Sequence, residues 1–248
     1  MSVLDRLVSM TGELARREFV ILGEGNTSAR DGDTLWVKAS GASMADIDAG
    51  GFAQVSLQPV SDASDVSDIS DLSDDRLRQL LNDARVDPER DGQPSTETFM
   101  HAWLLTLPDV CFVAHTHPTS TLGVMCGPRA AEFAAHRYFP DQVVMCGPRS
   151  VFVEYVAPGL KLAQAIRSRC EDYASETGLQ AKTILLQNHG LIALGKSPGE
   201  ALSATMMMEK AASVFVAARD PVALSEVEVA WIHGWADEHF RQGKIWGD

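Results

Sequence analysis

The stretch Val113-Ala114-His115-Thr116-His117-Pro118 decides how this chain is read. An apolar run, Val110–Ala114, reads as a buried strand and ends in two histidines two residues apart. Side chains alternate faces along a strand, so His115 and His117 point one way and Thr116 the other. Pro118 removes a backbone donor and discourages the ladder from continuing. Two imidazoles on one face at a strand end suit a divalent metal. A site needs a third ligand, which must come from elsewhere in the chain.

Composition bounds what surrounds that strand. The chain has 248 residues, 45% of them apolar and 22% charged, ordinary for a soluble globular protein. No window approaches ~18 consecutive apolar residues, which argues against a membrane span. The start, Met1-Ser2-Val3-Leu4-Asp5-Arg6, lacks the pattern of a secretory signal. Cys111, Cys126, Cys146 and Cys170 form no Cys-x-x-Cys pair and read as reduced thiols of a cytoplasmic protein. A net charge of −13 argues against nucleic acid as a partner. It also means that a phosphorylated substrate would be held by local backbone donors and a few basic side chains.

Upstream of the histidines, a helical spacing over residues 2–19 precedes Gly23-Glu24-Gly25-Asn26-Thr27-Ser28-Ala29-Arg30. Asp31-Gly32-Asp33 is a turn signal between strands at Thr27–Arg30 and Thr34–Lys38, and Phe52–Leu57 is another strand. Residues 61–75 are five Ser-Asp-x triplets, whose period fits neither helix nor strand. They read as a solvated insertion ending in a cap for a helix at Arg76–Asp83. Thr96–Leu107 is predicted helical, with a buried stripe of Phe99, Met100, Trp103, Leu104 and Leu107.

Downstream, Pro118–Val124 begins a helix, and Val-Met-Cys-Gly-Pro-Arg occurs at 124–129 and again at 144–149. The two copies read as equivalent turns. Val151–Val156 is β-rich, Leu160–Tyr173 helical, and Lys182–Gln187 a strand ending in Asn188-His189-Gly190. Leu191–Leu194 is a short strand. Pro198 starts a long core helix to Ala218, and a last amphipathic helix covers Ser225–Phe240. Helices alternating with short strands, with no linker, predict one α/β domain over 1–248.

His189 is the candidate third ligand, because it too ends an apolar strand, where Gly190 lets the backbone turn sharply. Three imidazoles leave a position open on Zn²⁺, the pattern of a catalytic site. Glu97, in Ser95-Thr96-Glu97, is either a helix-terminal carboxylate or a general acid/base facing the metal. His101, four residues on, shares its helix face and could orient it. Asn26-Thr27-Ser28, Ser40-Gly41 and Ser95-Thr96 are short donors beside turns, a chemistry suited to phosphate.

Taken together, Gly25-Asn26-Thr27-Ser28-x-Arg30, Ser40-Gly41, Ser95-Thr96-Glu97 with His101, His115-x-His117 and Asn188-His189-Gly190 stand in an order that resembles the class II aldolase/adducin family. The resemblance runs from about residue 2 to 218 and is closest to fuculose-phosphate and rhamnulose-phosphate aldolases, the latter through Trp36-Val37-Lys38-Ala39-Ser40-Gly41. It implies an αβα sandwich with a central, mainly antiparallel sheet, and a homotetramer with Zn²⁺, or another divalent cation such as Mn²⁺ or Co²⁺, near a subunit interface. It assigns His115, His117 and His189 to the metal and Glu97 to proton transfer. It places Asn26, Thr27, Ser40, Gly41, Ser95 and Thr96 around a substrate phosphate. Relatives take a second acid from a neighbouring subunit's tyrosine, and Tyr138 lies in about that region. The implied reaction is cleavage of a ketose phosphate to dihydroxyacetone phosphate and an aldehyde through a metal-stabilised enediolate. Decarboxylation of a 3-oxo sugar acid phosphate, dehydration or epimerisation would use the same ligands, and an adducin-like binding module would lack them.

Overall fold

The turn at Asp31-Gly32-Asp33 forms as its sequence predicts. Gly32 adopts φ +61° and closes a hairpin between β1 (Asn26–Asp31) and β2 (Thr34–Lys38). In this computed structural model, which describes residues 1–63, 73–89 and 92–235, the hairpin belongs to a seven-stranded sheet. β3 (Phe52–Ser56), β4 (Phe112–Thr116), β5 (Val151–Val153), β6 (Thr183–Leu186) and β7 (Gly190–Gly195) complete it in the order β3-β2-β1-β4-β7-β6-β5. All neighbours pair antiparallel except β5 and β6, so the sheet is mainly antiparallel.

Alternation along the strands sorts the core into two layers. Leu35, Val37, Val113, Ile184, Leu186, Ile192 and Leu194 face one set of helices: α2 (Leu57–Asp62), α3 (Asp74–Asp83), α4 (Thr98–Leu104) and α8 (Leu160–Thr177). Trp36, Phe112, Ala114, Leu185, Leu191 and Ala193 face the other set. That set is α1 (Val3–Leu14), α5 (Thr119–Met125), α6 (Ala130–Ala135), α7 (Pro140–Cys146) and α9 (Pro198–Ala218). α10 (Glu226–His233) rests Ile232 on Val143 and Val144 of α7. The result is the αβα sandwich the sequence implies.

Helix starts follow the sequence closely. Ser2 and Asp5 form a capping box on α1, and the Ser73 hydroxyl accepts from the Arg76 amide at 3.3 Å to cap α3. Pro198 stands in the first turn of α9. By length and composition α9 could cross a membrane. It packs instead on the sheet through Ala201, Ala204, Met208, Ala211, Ala212 and Phe215.

Two expectations change. The helix predicted from Thr96 begins two residues later and stops at Leu104. It is buried on all sides between α2 and α8 rather than along one stripe, and full burial of Phe99, Met100 and Leu104 contributes about 1.5–3 kcal/mol each. The repeated hexapeptide ends α5 and then α7, but the copies are not equivalent. Gly147 takes φ +79° and Gly127 no positive φ, while Cys126 is exposed and Cys146 buried. Arg129 pairs with Glu132 and stacks on Phe215; Arg149 pairs with Glu176 and stacks on Tyr173. Of the Ser-Asp triplets, residues 64–72 lie outside the described residues, as does the predicted helix beyond residue 235.

Candidate active site

Strand register brings the histidines together. Asn26 of β1 lies opposite His115 of β4, and His115 lies opposite Ile192 of β7. The β6–β7 turn then delivers His189 beside both. Ring centroids of the three imidazoles are 4.9, 4.9 and 5.2 Å apart, and one nitrogen from each lies within 4.8 Å of the others. The turn itself is made by Asn188, at φ +53°, and not by Gly190. Gly190 is required for space: a Cβ there would meet the Thr116 carbonyl at 2.5 Å and the His117 ring at 2.7 Å.

Hydrogen bonds fix which nitrogens face inward. His115 Nδ1–H donates to the Leu191 carbonyl at 3.0 Å, and His117 Nδ1–H donates to a Glu24 carboxylate oxygen at 3.2 Å. Both acceptors lack hydrogens, so in the neutral rings both Nε2 atoms carry lone pairs, and these stand 3.2 Å apart. Two facing lone pairs repel unless an electrophile lies between them. Ligands of a tetrahedral Zn²⁺ with bonds of ~2.0–2.1 Å sit roughly 3.3 Å apart, close to what is seen. The His189 Nδ1 atom is buried without a partner. The donor set fits a divalent cation held by His115, His117 and His189.

Glu97 stands at the start of α4, but its side chain makes no cap. It turns inward, with Oε1 3.6 Å from His115 Nε2 and 3.4 Å from His189 Nε2. Its other oxygen accepts from the Asn26 amide at 2.5 Å. Because a carboxylate can only accept, Asn26 must turn its carbonyl to His101, whose Nε2–H donates to it. His101 Nδ1 then accepts from the Ser28 hydroxyl at 2.6 Å. The chain Ser28, His101, Asn26, Glu97 thus has one direction and holds His101 neutral. Burial pushes His101 down to about 4, opposed by the Glu97 charge. His115 is driven down to about 3, again by burial first. Burial works to raise the Glu97 carboxyl, but the neighbouring His115 and His189 rings and the Asn26 amide outweigh it. Its pKa lies below the ordinary carboxylate value.

A cleft of about 350 Å³ opens beside this cluster, lined by Glu24, Asn26, Lys38, Ser40, Gly41, Ser95, Thr96, Glu97, His117, Pro158 and His189. Its small-residue loops converge because Ser40 N–H donates to the Gln93 carbonyl at 2.7 Å and Ala39 bridges Pro94. Ser95 presents a buried hydroxyl with no partner. Asn26, Ser40, Gly41, Ser95 and Thr96 therefore share one wall of the cleft. Thr27 does not. Strand alternation turns it to the opposite face of the sheet, where its hydroxyl meets that of Thr11 at 2.6 Å. The expectation of Thr27 around a substrate phosphate is thereby corrected for its side chain.

Tyr138 does not line the cleft of its own chain. It packs with Phe133 and Phe215 in the α6–α9 core, and its hydroxyl is buried without a partner. Burial pushes that phenol up to about 12. Two residues went unnoticed in the sequence. Lys38 is buried, faces the cleft, and donates to the Ala42 carbonyl at 2.6 Å. Burial lowers its pKa, with the Glu97 charge opposing. Glu24 stands behind His117, with a signal in Gly23-Glu24-Gly25 that reads only as a turn.

Known proteins share the family and the fold. The model of the Class II Aldolase and Adducin N-terminal domain matches residues 5–216. A Bacillus subtilis (strain 168) protein named uncharacterized oxidoreductase YuxG is 27% identical over 203 residues, 78% of this chain; the chain spans only 26% of that relative's length. The N-terminal class II aldolase domain of a conserved protein from Thermoplasma acidophilum superposes with a TM-score of 0.67 at 25% identity, covering 87% of this chain and 94% of that one. An L-fuculose 1-phosphate aldolase shares the fold, with a TM-score of 0.69 at 19% identity and 96% of each chain covered. With its sandwich, its histidine cluster and a family match over most of its length, the chain belongs to the class II aldolase and adducin N-terminal domain family.

Proposed function

We propose that the chain is a divalent-metal-dependent aldolase that cleaves a ketose phosphate into dihydroxyacetone phosphate and an aldehyde. The reading rests on one arrangement: an ionised carboxylate, Glu97, aimed by Asn26 and His101 at the point where three imidazoles converge. Zn²⁺ bound there would supply Lewis acidity toward the carbonyl and neighbouring hydroxyl oxygens of the substrate. Ser40, Gly41, Ser95 and Thr96 would present short donors to the phosphate, with the Lys38 ammonium as the cation on the cleft wall. Asn26 commits its amide to Glu97 and His101, so its main task is to aim the carboxylate.

Cleavage requires a proton to leave the hydroxyl that becomes the aldehyde and a proton to reach the carbon that loses its bond. An ionised Glu97 can accept the first and return it to the second, so the balance closes on one side chain. Tyr138, half-buried against Phe133 and Phe215, does not line the cleft of its own chain. The decisive assay incubates zinc-loaded protein with a panel of ketose phosphates and 3-oxo acid phosphates. Released aldehyde with dihydroxyacetone phosphate is the expected result. Release of CO₂ instead would make it a decarboxylase, and no turnover with metal bound would overturn the enzyme reading. We further propose a homo-oligomer, tetrameric by family resemblance, to be checked by mass in solution.

A further inference from the structure

We propose that Glu24 is a positioning residue for the metal: it locks His117 in the state that ligates, without touching the metal itself. The inference rests on the proposed binding of a divalent cation by His115, His117 and His189. Its own ground is the geometry of one loop. Glu24 receives two hydrogen bonds from two donors, Ile21 N–H at 2.7 Å on Oε1 and His117 Nδ1–H at 3.2 Å on Oε2. Two donors facing one side chain need two acceptor atoms, and only a carboxylate provides both. A glutamine would set its amide hydrogens against one of them.

The loop is built to hold that carboxylate in place. His117 N–H donates to the Phe19 carbonyl and Thr119 N–H to the Glu18 carbonyl, both at 2.9 Å, so residues 18–19 are sewn along the segment that follows β4. The chain then doubles back through Leu22 at φ +54°, a conformation unfavourable for a leucine, and Gly25 at φ +73°. A Cβ at Gly25 would meet Val20 Cγ1 at 2.8 Å and the His115 carbonyl at 3.0 Å, so the loop lies directly against the histidine strand. Side-chain exposure of Glu24 is 30% and of His117 19%, so water competes for the ring. The carboxylate excludes the wrong tautomer, holds the ring plane, and raises the basicity of the inward nitrogen.

The test is zinc affinity at equilibrium, measured on the full chain by competition with a chromophoric chelator at fixed pH. Stoichiometric binding by the unaltered protein checks the metal reading itself; failure there would sink that reading and leave Glu24 with nothing to position. Given binding, Glu24→Gln should weaken Zn²⁺ affinity about 10–100-fold. In a His117→Asn background the same change should have no further effect, because Glu24 acts through that ring. Equal affinities, or losses that add in the double variant, would overturn the proposal. A measurement on the unaltered zinc-loaded protein covers the case in which Glu24→Gln fails to fold. Long-range ¹H–¹⁵N correlation should find the His117 hydrogen on Nδ1, and a hydrogen on Nε2 would overturn the proposal outright.

Discussion

Two carboxylates flank the histidine cluster, and they differ in which side of an imidazole they meet. Glu97 comes from the start of a helix buried on all sides and faces inward nitrogens of His115 and His189. Glu24 comes from a short loop at the surface and faces the outward nitrogen of His117. The first can reach whatever the inward nitrogens reach; the second acts on the metal only through the ring between. One functional group thus serves opposite purposes according to the element that carries it, and the helix side is the more deeply fixed. Glu97 ends a directed chain of four polar side chains, whereas Glu24 depends on a few backbone hydrogen bonds.

The largest expected effect separates the two sides. Glu97→Gln should lower kcat by about 10²–10⁴-fold while zinc content stays stoichiometric. Loss of metal in that variant, or unchanged turnover, would erase the contrast with Glu24. Asn26→Leu comes next: it keeps the metal but releases Glu97, so kcat should fall more than KM rises. A change confined to KM would return Asn26 to the phosphate wall alone. Lys38→Met tests the far end of the cleft. It should raise KM for a phosphorylated substrate by roughly tenfold or more, the worth of a charge-assisted hydrogen bond, and leave zinc affinity alone.

Acidification should also distinguish the helix side. His101 titrates at 6.5 in a free chain and at about 4 in the fold, because burial disfavours its charge. Between those values the unfolded chain takes up a proton that the folded one refuses. Its contribution to stability is therefore complete above 6.5 and lost as pH falls toward 4, at up to about 1.4 kcal/mol per pH unit. Denaturant unfolding of the metal-free protein at pH 5 and pH 7 should show the loss, and His101→Gln should reduce the slope, leaving the part due to His115, which burial also holds down to about 3. The smallest effect is expected at Thr27→Val, which costs about 1 kcal/mol of stability through Thr11 and leaves kcat and KM unchanged.

Local rules explain what could be read in advance. Alternation placed His115 and His117 on one face, Asp31-Gly32-Asp33 marked its hairpin, and Pro198 marked the start of α9. The same alternation, applied to Asn26-Thr27-Ser28, would have sent Thr27 to the far side of the sheet; treating the triplet as a cluster of donors hid that. Glu24 was illegible for a different reason. Its partner lies far along the chain, and nothing within the loop announces a histidine. Lys38 reads locally as an ordinary strand residue, and only the bridge between Ala39 and Pro94 shows it at a cleft. Gly190 looked like a turn glycine because the turn is adjacent, but the constraint on it comes from β4.

The repeated Val-Met-Cys-Gly-Pro-Arg has a practical consequence for following the protein as it opens. Cys126 and Cys146 have the same neighbours in sequence, so in an unfolded chain an alkylating reagent should modify them at nearly the same rate. In the fold Cys126 is exposed, while Cys146 is fully buried, its thiol pushed up to about 11 by that burial. The ratio of label on the two peptides is thus an internal clock. It starts far from one in the native protein and approaches one as the α7–α9 packing comes apart, with no engineered probe required.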